Sequence, residues 1–367
     1  MNRGDAAVPC RSGRLLTFRS GGWVLLVAGL MCLAVVARWV MGVYAERGVA
    51  VRGDGRHVES YGFDLSTCLA PRELIAAAGF PKDGIPALTS PEVFTRVQAA
   101  EFDRELQRGH QGKYLVPSDR VIGVETGGAA RAYPLRIVSW HEVVNDTLGG
   151  RPIVVTYSPL CDSTVVFDRR VGDETLEFGV SGLVYNSNLL MYDRRPAGAG
   201  ESVWSQLQFR AVAGPAAVAG RKLTIVPAVV VHWSDWQAAH PQTTILAPDR
   251  SRMEVYKRSY GAYFASEKLH FPVVPLPPKD TWPLKTPIVA VRTTGDWHVF
   301  SLPDIGARTG GSMGSETEID GVEVRLDWRD APSAVWPRTG DGGPVEVVYS
   351  FWFAWHAMTA GGTNGPR

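Results

Sequence analysis

From Val121 onward, short runs of β-branched and aromatic residues are set between glycine-bearing turns, and no other feature constrains the fold as much. Residues 121–125 and 129–134 flank Gly127-Gly128, 152–157 follows Gly149-Gly150, and 164–169 and 175–180 flank Gly172-Asp173. Paired glycines and Gly-Asp steps supply the positive φ of two-residue hairpin turns, so each pair predicts two antiparallel strands. The series continues through 189–193, 203–206, 210–213 and 222–226, and resumes at 288–292, 297–302, 317–319 and 322–328, with Asp320-Gly321 as a further hairpin turn. The pattern predicts a mainly β (α+β) fold, an antiparallel sandwich or a partly closed barrel with a few short helices. Helical spacing is confined to 71–78, closed by Gly79, to a helix begun by Ser90-Pro91 and ended near Gly109, to 234–240, and to the apolar 351–358.

The N-terminus carries a different signal. Arg3, Arg11, Arg14 and Arg19 face a single acid, Asp5, ahead of an uncharged apolar run at 21–37. As a helix, Trp23 to Tyr44 would extend about 33 Å, enough to cross the hydrocarbon core, with Trp23, Trp39 and Tyr44 at the two interfaces and Arg38 snorkelling. The arginine excess predicts a single-pass transmembrane helix at 21–44, residues 1–20 in the cytoplasm and the bulk of the chain extracytoplasmic. A cleaved signal peptide is the competing reading, with Val43-Tyr44-Ala45 as the cleavage site. A linker at 45–60, a domain at 61–360 and a disordered tail at 361–367 complete the expected organisation. Across 367 residues the net charge is +1, which leaves no electrostatic footprint for nucleic acid.

Chemistry concentrates in the turn between 152–157 and 164–169. Cys161 sits there beside Asp162 and Ser163, one strand away from Trp140-His141-Glu142. A thiol becomes a nucleophile or ligand only as thiolate, which needs an imidazole, a cation or a helix N-terminus nearby. His141, oriented by Glu142 or Asp146, would supply this as a Cys-His-acid arrangement. Tyr157, Asp162, Ser163, Tyr185, Asn186, Trp204 and Gln206 are the expected lining of the substrate site. Each has a bland alternative: Cys161 as a buried inert thiol, His141 as a structural bridge, and 185–188 as a loop held by asparagine side chains. A copper or zinc site on Cys161 and His141, completed by His232, His240 or His356, is a further alternative, as is a disulfide to Cys68. The chain has no phosphate loop, no Gly-x-Ser-x-Gly elbow and no His-Glu-x-x-His helix, and its residues specify no cofactor.

Several ordered segments resemble the DUF3179 family, bacterial and archaeal proteins without an assigned function. They are Lys82-Asp83-Gly84-Ile85-Pro86-Ala87, Ala132-Tyr133-Pro134-Leu135-Arg136-Ile137, Trp140-His141-Glu142-Val143-Val144-Asn145-Asp146 and Thr156-Tyr157-Ser158-Pro159-Leu160-Cys161. Phe178-Gly179-Val180-Ser181-Gly182-Leu183, Tyr185-Asn186, Met191-Tyr192-Asp193-Arg194 and Trp204-Ser205-Gln206 continue the run. The resemblance implies thiol redox chemistry, because relatives commonly carry Cys-Pro-Leu-Cys at the Cys161 turn and some are catalogued as candidate selenoproteins. Ser158 replaces the first of those cysteines here, so a redox role would use Cys161 alone or a distant partner such as Cys68.

Overall fold

A computed structural model of the chain describes residues 52–109, 112–196, 200–309, 314–330 and 334–360. The expected transmembrane helix lies outside the described residues, and among those residues no helix is long and apolar enough to cross a membrane.

Among the described residues the domain is mainly β, built from one eight-stranded, one seven-stranded and one five-stranded sheet and a two-stranded ribbon. The seven-stranded sheet is the middle layer. Along Arg151–Ser158, Ile153, Val155 and Tyr157 enter one hydrophobic core while Val154 enters the other. The same division recurs in Ser163–Asp168, where Val166 faces the first core and Val165 and Phe167 the second. Pro287–Arg292 repeats it, with Val289 and Val291 opposed to Ile288 and Ala290. Successive side chains of a strand point to opposite faces, so both faces of this sheet must be covered. The eight-stranded sheet covers one with Ile122, Val124, Tyr133 and Val230, and the five-stranded sheet covers the other with Phe178 and Trp204. Burying each Val or Ile side chain in the middle layer contributes about 2 kcal/mol, so this sheet dominates the packing energy.

Three glycine turns do what their composition predicts, whereas Gly172-Asp173 closes only the short ribbon of Arg170–Val171 and Glu174–Thr175 and does not join 164–169 to 175–180. Arg120–Thr126 pairs with Ala129–Pro134 around Gly127 and Gly128, whose φ values are 57° and 73°. Val143–Leu148 pairs with Arg151–Ser158 around Gly149 and Gly150, and Ser315–Ile319 pairs with Val322–Arg329 around Asp320 and Gly321. Three other expectations need correction. None of the sheets closes into a barrel, and two pairings are parallel, Leu88 with Val144 and Thr244 with Arg131. The pattern at 71–78 forms a 3-10 turn, Arg72–Leu74, and then a strand, Ile75–Ala77, because Gly79 and the edge of Phe178–Tyr185 offer a ladder to pair with. The helix expected from Ser90 starts at Arg96 instead. Ser90 holds a φ of 48°, and Thr95 caps the helix through a reciprocal capping box with Gln98.

Candidate functional site

The hairpin of Arg151–Ser158 and Ser163–Asp168 ends in the turn that carries Cys161. The Cys161 amide donates to Ser158 O at 3.1 Å, and Asp162 turns the chain with a φ of 45°. Arg120 locks this turn to the eight-stranded sheet. Its two Nη atoms donate to Asp162 Oδ2 at 2.9 Å and Oδ1 at 3.0 Å, and the Tyr157 hydroxyl adds a bond to Oδ1 at 2.6 Å. A bidentate guanidinium–carboxylate pair fixes orientation as well as charge. Nothing around Arg120 in the sequence signals this role, since it is the first residue of an ordinary strand.

Cys161 itself is fully buried in the second core, and its sulfur donates to Ser187 O at 3.1 Å. Desolvation raises its pKa well above that of a free thiol, and the charges of Asp162 and Glu142 push the same way. The resting form is therefore the neutral thiol. His141 does not join it by a hydrogen bond: Nδ1 pairs with Pro86 O at 2.7 Å and Nε2 with the Tyr256 hydroxyl at 2.9 Å. Burial lowers its pKa from 6.5 to about 4, so the imidazole is neutral and spans the start of the domain and residue 256. Cys161 and Cys68 are both free thiols.

Glu142 differs from every other acid near the turn. It is a non-glycine residue at a φ of 58°, a left-handed conformation that costs energy and is held by Glu142 N donating to Val138 O and Tyr157 N donating to Glu142 O. The side chain is partly exposed, yet no hydrogen bond or ion pair reaches its carboxylate among the described residues. Desolvation alone raises its pKa from 4.5 to about 8. Its charge is felt by Cys161 and by Tyr260, whose own pKa is pushed up to about 12 chiefly by burial. Tyr260 packs against Trp140 with ring centroids 5.8 Å apart, and the Trp140 Nε1 is buried without a hydrogen-bond partner. Unsatisfied buried polar groups are rare in folded proteins and mark places where something else binds or reacts.

The remaining expected lining residues divide into three groups. Ser163 and Gln206 belong to a closed polar knit between the middle and five-stranded sheets. Gln206 Oε1 accepts from Ser163 Oγ at 2.6 Å and Asn188 Nδ2 at 2.8 Å, and Gln206 Nε2 donates to Thr156 Oγ1 at 2.9 Å. Tyr185 and Trp204 are core residues, the latter fully buried edge-on to Phe178 at 5.7 Å. Asn186 is a clamp: its Nδ2 donates to Val274 O at 3.1 Å and its Oδ1 accepts from Val274 N at 2.9 Å. Tyr157 and Asp162 thus stay with Cys161, while Tyr185, Trp204 and Gln206 serve the interior.

Tyr256, Tyr260 and Tyr263 join the site without having been expected there. Tyr263 donates its hydroxyl to Leu160 O at 3.1 Å, and burial raises its pKa. Tyr256 ends one single-turn helix, Met253–Tyr256, Tyr260 precedes a second, Gly261–Phe264, and Tyr263 lies within it, so no single helix carries the three phenols. His232, His240 and His356 do not complete a metal site with Cys161 and His141. Among the described residues no grouping of three His, Cys, Asp or Glu side chains is placed to hold a metal ion.

A family model described as a protein of unknown function, DUF3179, matches residues 82–361, well over half of the chain. The chain belongs to the DUF3179 family. Comparison with curated proteins and with solved structures returned no match. The Cys161 turn, His141, Glu142 and the three tyrosines all lie within the DUF3179 match, whereas 52–81 precedes it and packs Tyr61 and Ile75 onto the five-stranded sheet.

Proposed function

We propose that this DUF3179 domain is a thiol-dependent enzyme in which Cys161 supplies the reacting sulfur and Glu142 is its proton acceptor. His141, placed in the notional dyad by its sequence position, instead positions the site by bridging Pro86 and Tyr256. The observation that carries the reading is the unpartnered, desolvated Glu142 carboxylate, whose pKa of about 8 is close to the operating range of a general base. Proton transfer from the thiol leaves a thiolate and a neutral carboxylic acid, so no net charge enters the site. At rest the thiol holds its proton, because desolvation raises it further than it raises the carboxylate. A substrate that brings a hydrogen-bond donor or positive charge to the sulfur lowers that cost. The sequence of the first 44 residues supports placing the domain outside the membrane, tethered through 21–44.

The test is the pH profile of Cys161 alkylation by iodoacetamide, read on the peptide that carries it. The wild-type rate rises through pH 8 as Glu142 ionises. In Glu142→Gln that rise is absent and the rate climbs only at higher pH. Identical profiles in the two proteins overturn the reading. A second reading, binding of a small hydrogen-bonding ligand without turnover, draws on the unpartnered Trp140 Nε1 beside the same site.

A further inference from the structure

Residues 249–286 connect Thr244–Leu246 of the eight-stranded sheet to Pro287–Arg292 of the middle sheet, and they meet the cores mostly through half-buried side chains, Met253 at the first and Phe264, Leu269, Trp282 and Leu284 at the second. Within them the regular structure is one 3-10 turn, Arg250–Arg252, and two single-turn helices, Met253–Tyr256 and Gly261–Phe264. Tyr256 and Val273 are its buried hydrophobic side chains, while Val274 and Leu276 are about half exposed.

What fastens this segment is unusual in its placement. The Tyr256 hydroxyl pairs with His141 Nε2 at 2.9 Å, and Tyr260 lies against Trp140. Tyr263 donates to Leu160 O at 3.1 Å, the residue before Cys161. Ser187 Oγ donates to Phe271 O at 3.2 Å, and Ser187 O is the acceptor of the Cys161 thiol. Asn186 holds both the N–H and the C=O of Val274. Each of these contacts lands on the site or on its immediate neighbours. Inside the segment, Lys285 Nζ donates to Tyr263 O at 2.6 Å and Lys268 O at 2.8 Å and lies over the Tyr263 ring at 3.3 Å, which keeps the middle of the segment together as one piece.

We propose that residues 249–286 form a hinged strap that covers Cys161 and Glu142, with the Asn186 amide as its latch. Local opening is cheapest where few apolar side chains are fully buried, and this segment has two, Tyr256 and Val273, where the strands beneath it are buried along most of their length. Lifting it releases the contacts of Tyr260, Tyr263 and Phe271 with the site, and leaves the three sheets intact. The strap thereby turns a sealed thiol into an accessible one without unfolding the domain. This extends the thiol-enzyme reading to how its site is reached, but the opening itself can be measured without any activity.

The experiment is N-ethylmaleimide labelling of Cys161 in the full chain at fixed pH, read by mass spectrometry on the peptide carrying it, over urea concentrations below global unfolding. The expected result is a labelling rate in the wild type that is flat at low urea and faster than global unfolding allows. Asn186→Gly removes the amide while keeping a residue suited to the local φ of 49°, and is expected to raise that rate about tenfold, the scale of two lost net hydrogen bonds. Gly123→Ala is the control. A Cβ there would meet the Trp236 ring at 2.3 Å, far from the strap's fastenings, so it lowers global stability and leaves the low-urea rate unchanged. A wild-type rate that follows global unfolding from the lowest urea overturns the strap, as does equal acceleration by Asn186→Gly and Gly123→Ala. Either result leaves the contrast between wild-type and Glu142→Gln pH profiles standing.

Discussion

Tyr157 and Asp162 are joined across the turn that holds Cys161, the phenol donating to the carboxylate at 2.6 Å while the same carboxylate receives both Nη atoms of Arg120. The sulfur between them is held by one sheet, and the charge that steadies its turn comes from another. Position at Cys161 therefore depends on how two layers pack, not on the hairpin alone.

Removing one partner of that buried pair leaves the other without compensation. Arg120→Leu is expected to lower stability by about 3 kcal/mol, and the double variant Arg120→Leu/Asp162→Leu by clearly less. Urea unfolding midpoints of the two variants measure the difference. Equal losses would mean that the pair is not what anchors the turn.

Glu142 makes a prediction of definite sign. Below pH 4.5 its carboxyl is protonated in both folded and unfolded chains, so it carries no penalty there. As pH rises from 4.5 the unfolded chain ionises first, and stability falls until the folded group also ionises near 8. Glu142→Gln should abolish that decline and melt higher than wild type at pH 9. Thermal denaturation between pH 4 and pH 9 decides it.

The sign reverses for His141. Its folded pKa of about 4 lies below the ordinary 6.5, so its neutral form supports the fold above pH 6.5 and that support is lost as pH falls towards 4. The loss amounts to about 3 kcal/mol from the size of the shift. His141→Gln should flatten this acid limb while lowering stability at pH 7 through its broken bonds to Pro86 and Tyr256. Between 4.5 and 6.5 the His141 and Glu142 slopes oppose each other, so the comparison is between each variant and wild type across the range.

The Gln206 amide ties together three other buried polar side chains. Gln206→Leu strands Ser163, Asn188 and Thr156 in the second core and should cost about 3 kcal/mol, more than a surface glutamine could. Chemical denaturation of the variant, with Gln237→Leu as a surface comparison, gives the value.

Local features were legible and layered ones were not. The glycine pair at 127–128 placed its hairpin to within a residue, and the pair at 149–150 placed the strand that follows it, because two positive φ values in succession leave few other structures. The three-layer stack was hidden. A strand such as Ser163–Asp168, buried along its whole length, has polar residues at three of its six positions and so reads as half-exposed. Ser163 is inside because it pairs with Gln206 and Asn188 across layers, and Asp168 because Arg151 and Arg170 pair with it, which periodicity cannot show. At the site, Cys161, Glu142, Tyr157 and Asp162 came from one turn and its neighbouring strand, within reach of local reading. Arg120 and the tyrosines at 256, 260 and 263 came from distant stretches, brought in by sheet order and by the segment that crosses the hairpin. Asn186 was seen as polar and exposed to choice, but only its Val274 contacts show that it fastens one strand of chain to another.

The seven-stranded sheet has no outside. Because its five inner strands supply buried side chains to both cores, neither half of the domain can be expressed as a truncation with a surface that water would tolerate. Fragments ending before Pro287 would lack the three strands at one end of that layer, which uncovers Ser163–Asp168, and should be recovered as aggregates, while any lasting change in one core will be transmitted through shared backbone to the other.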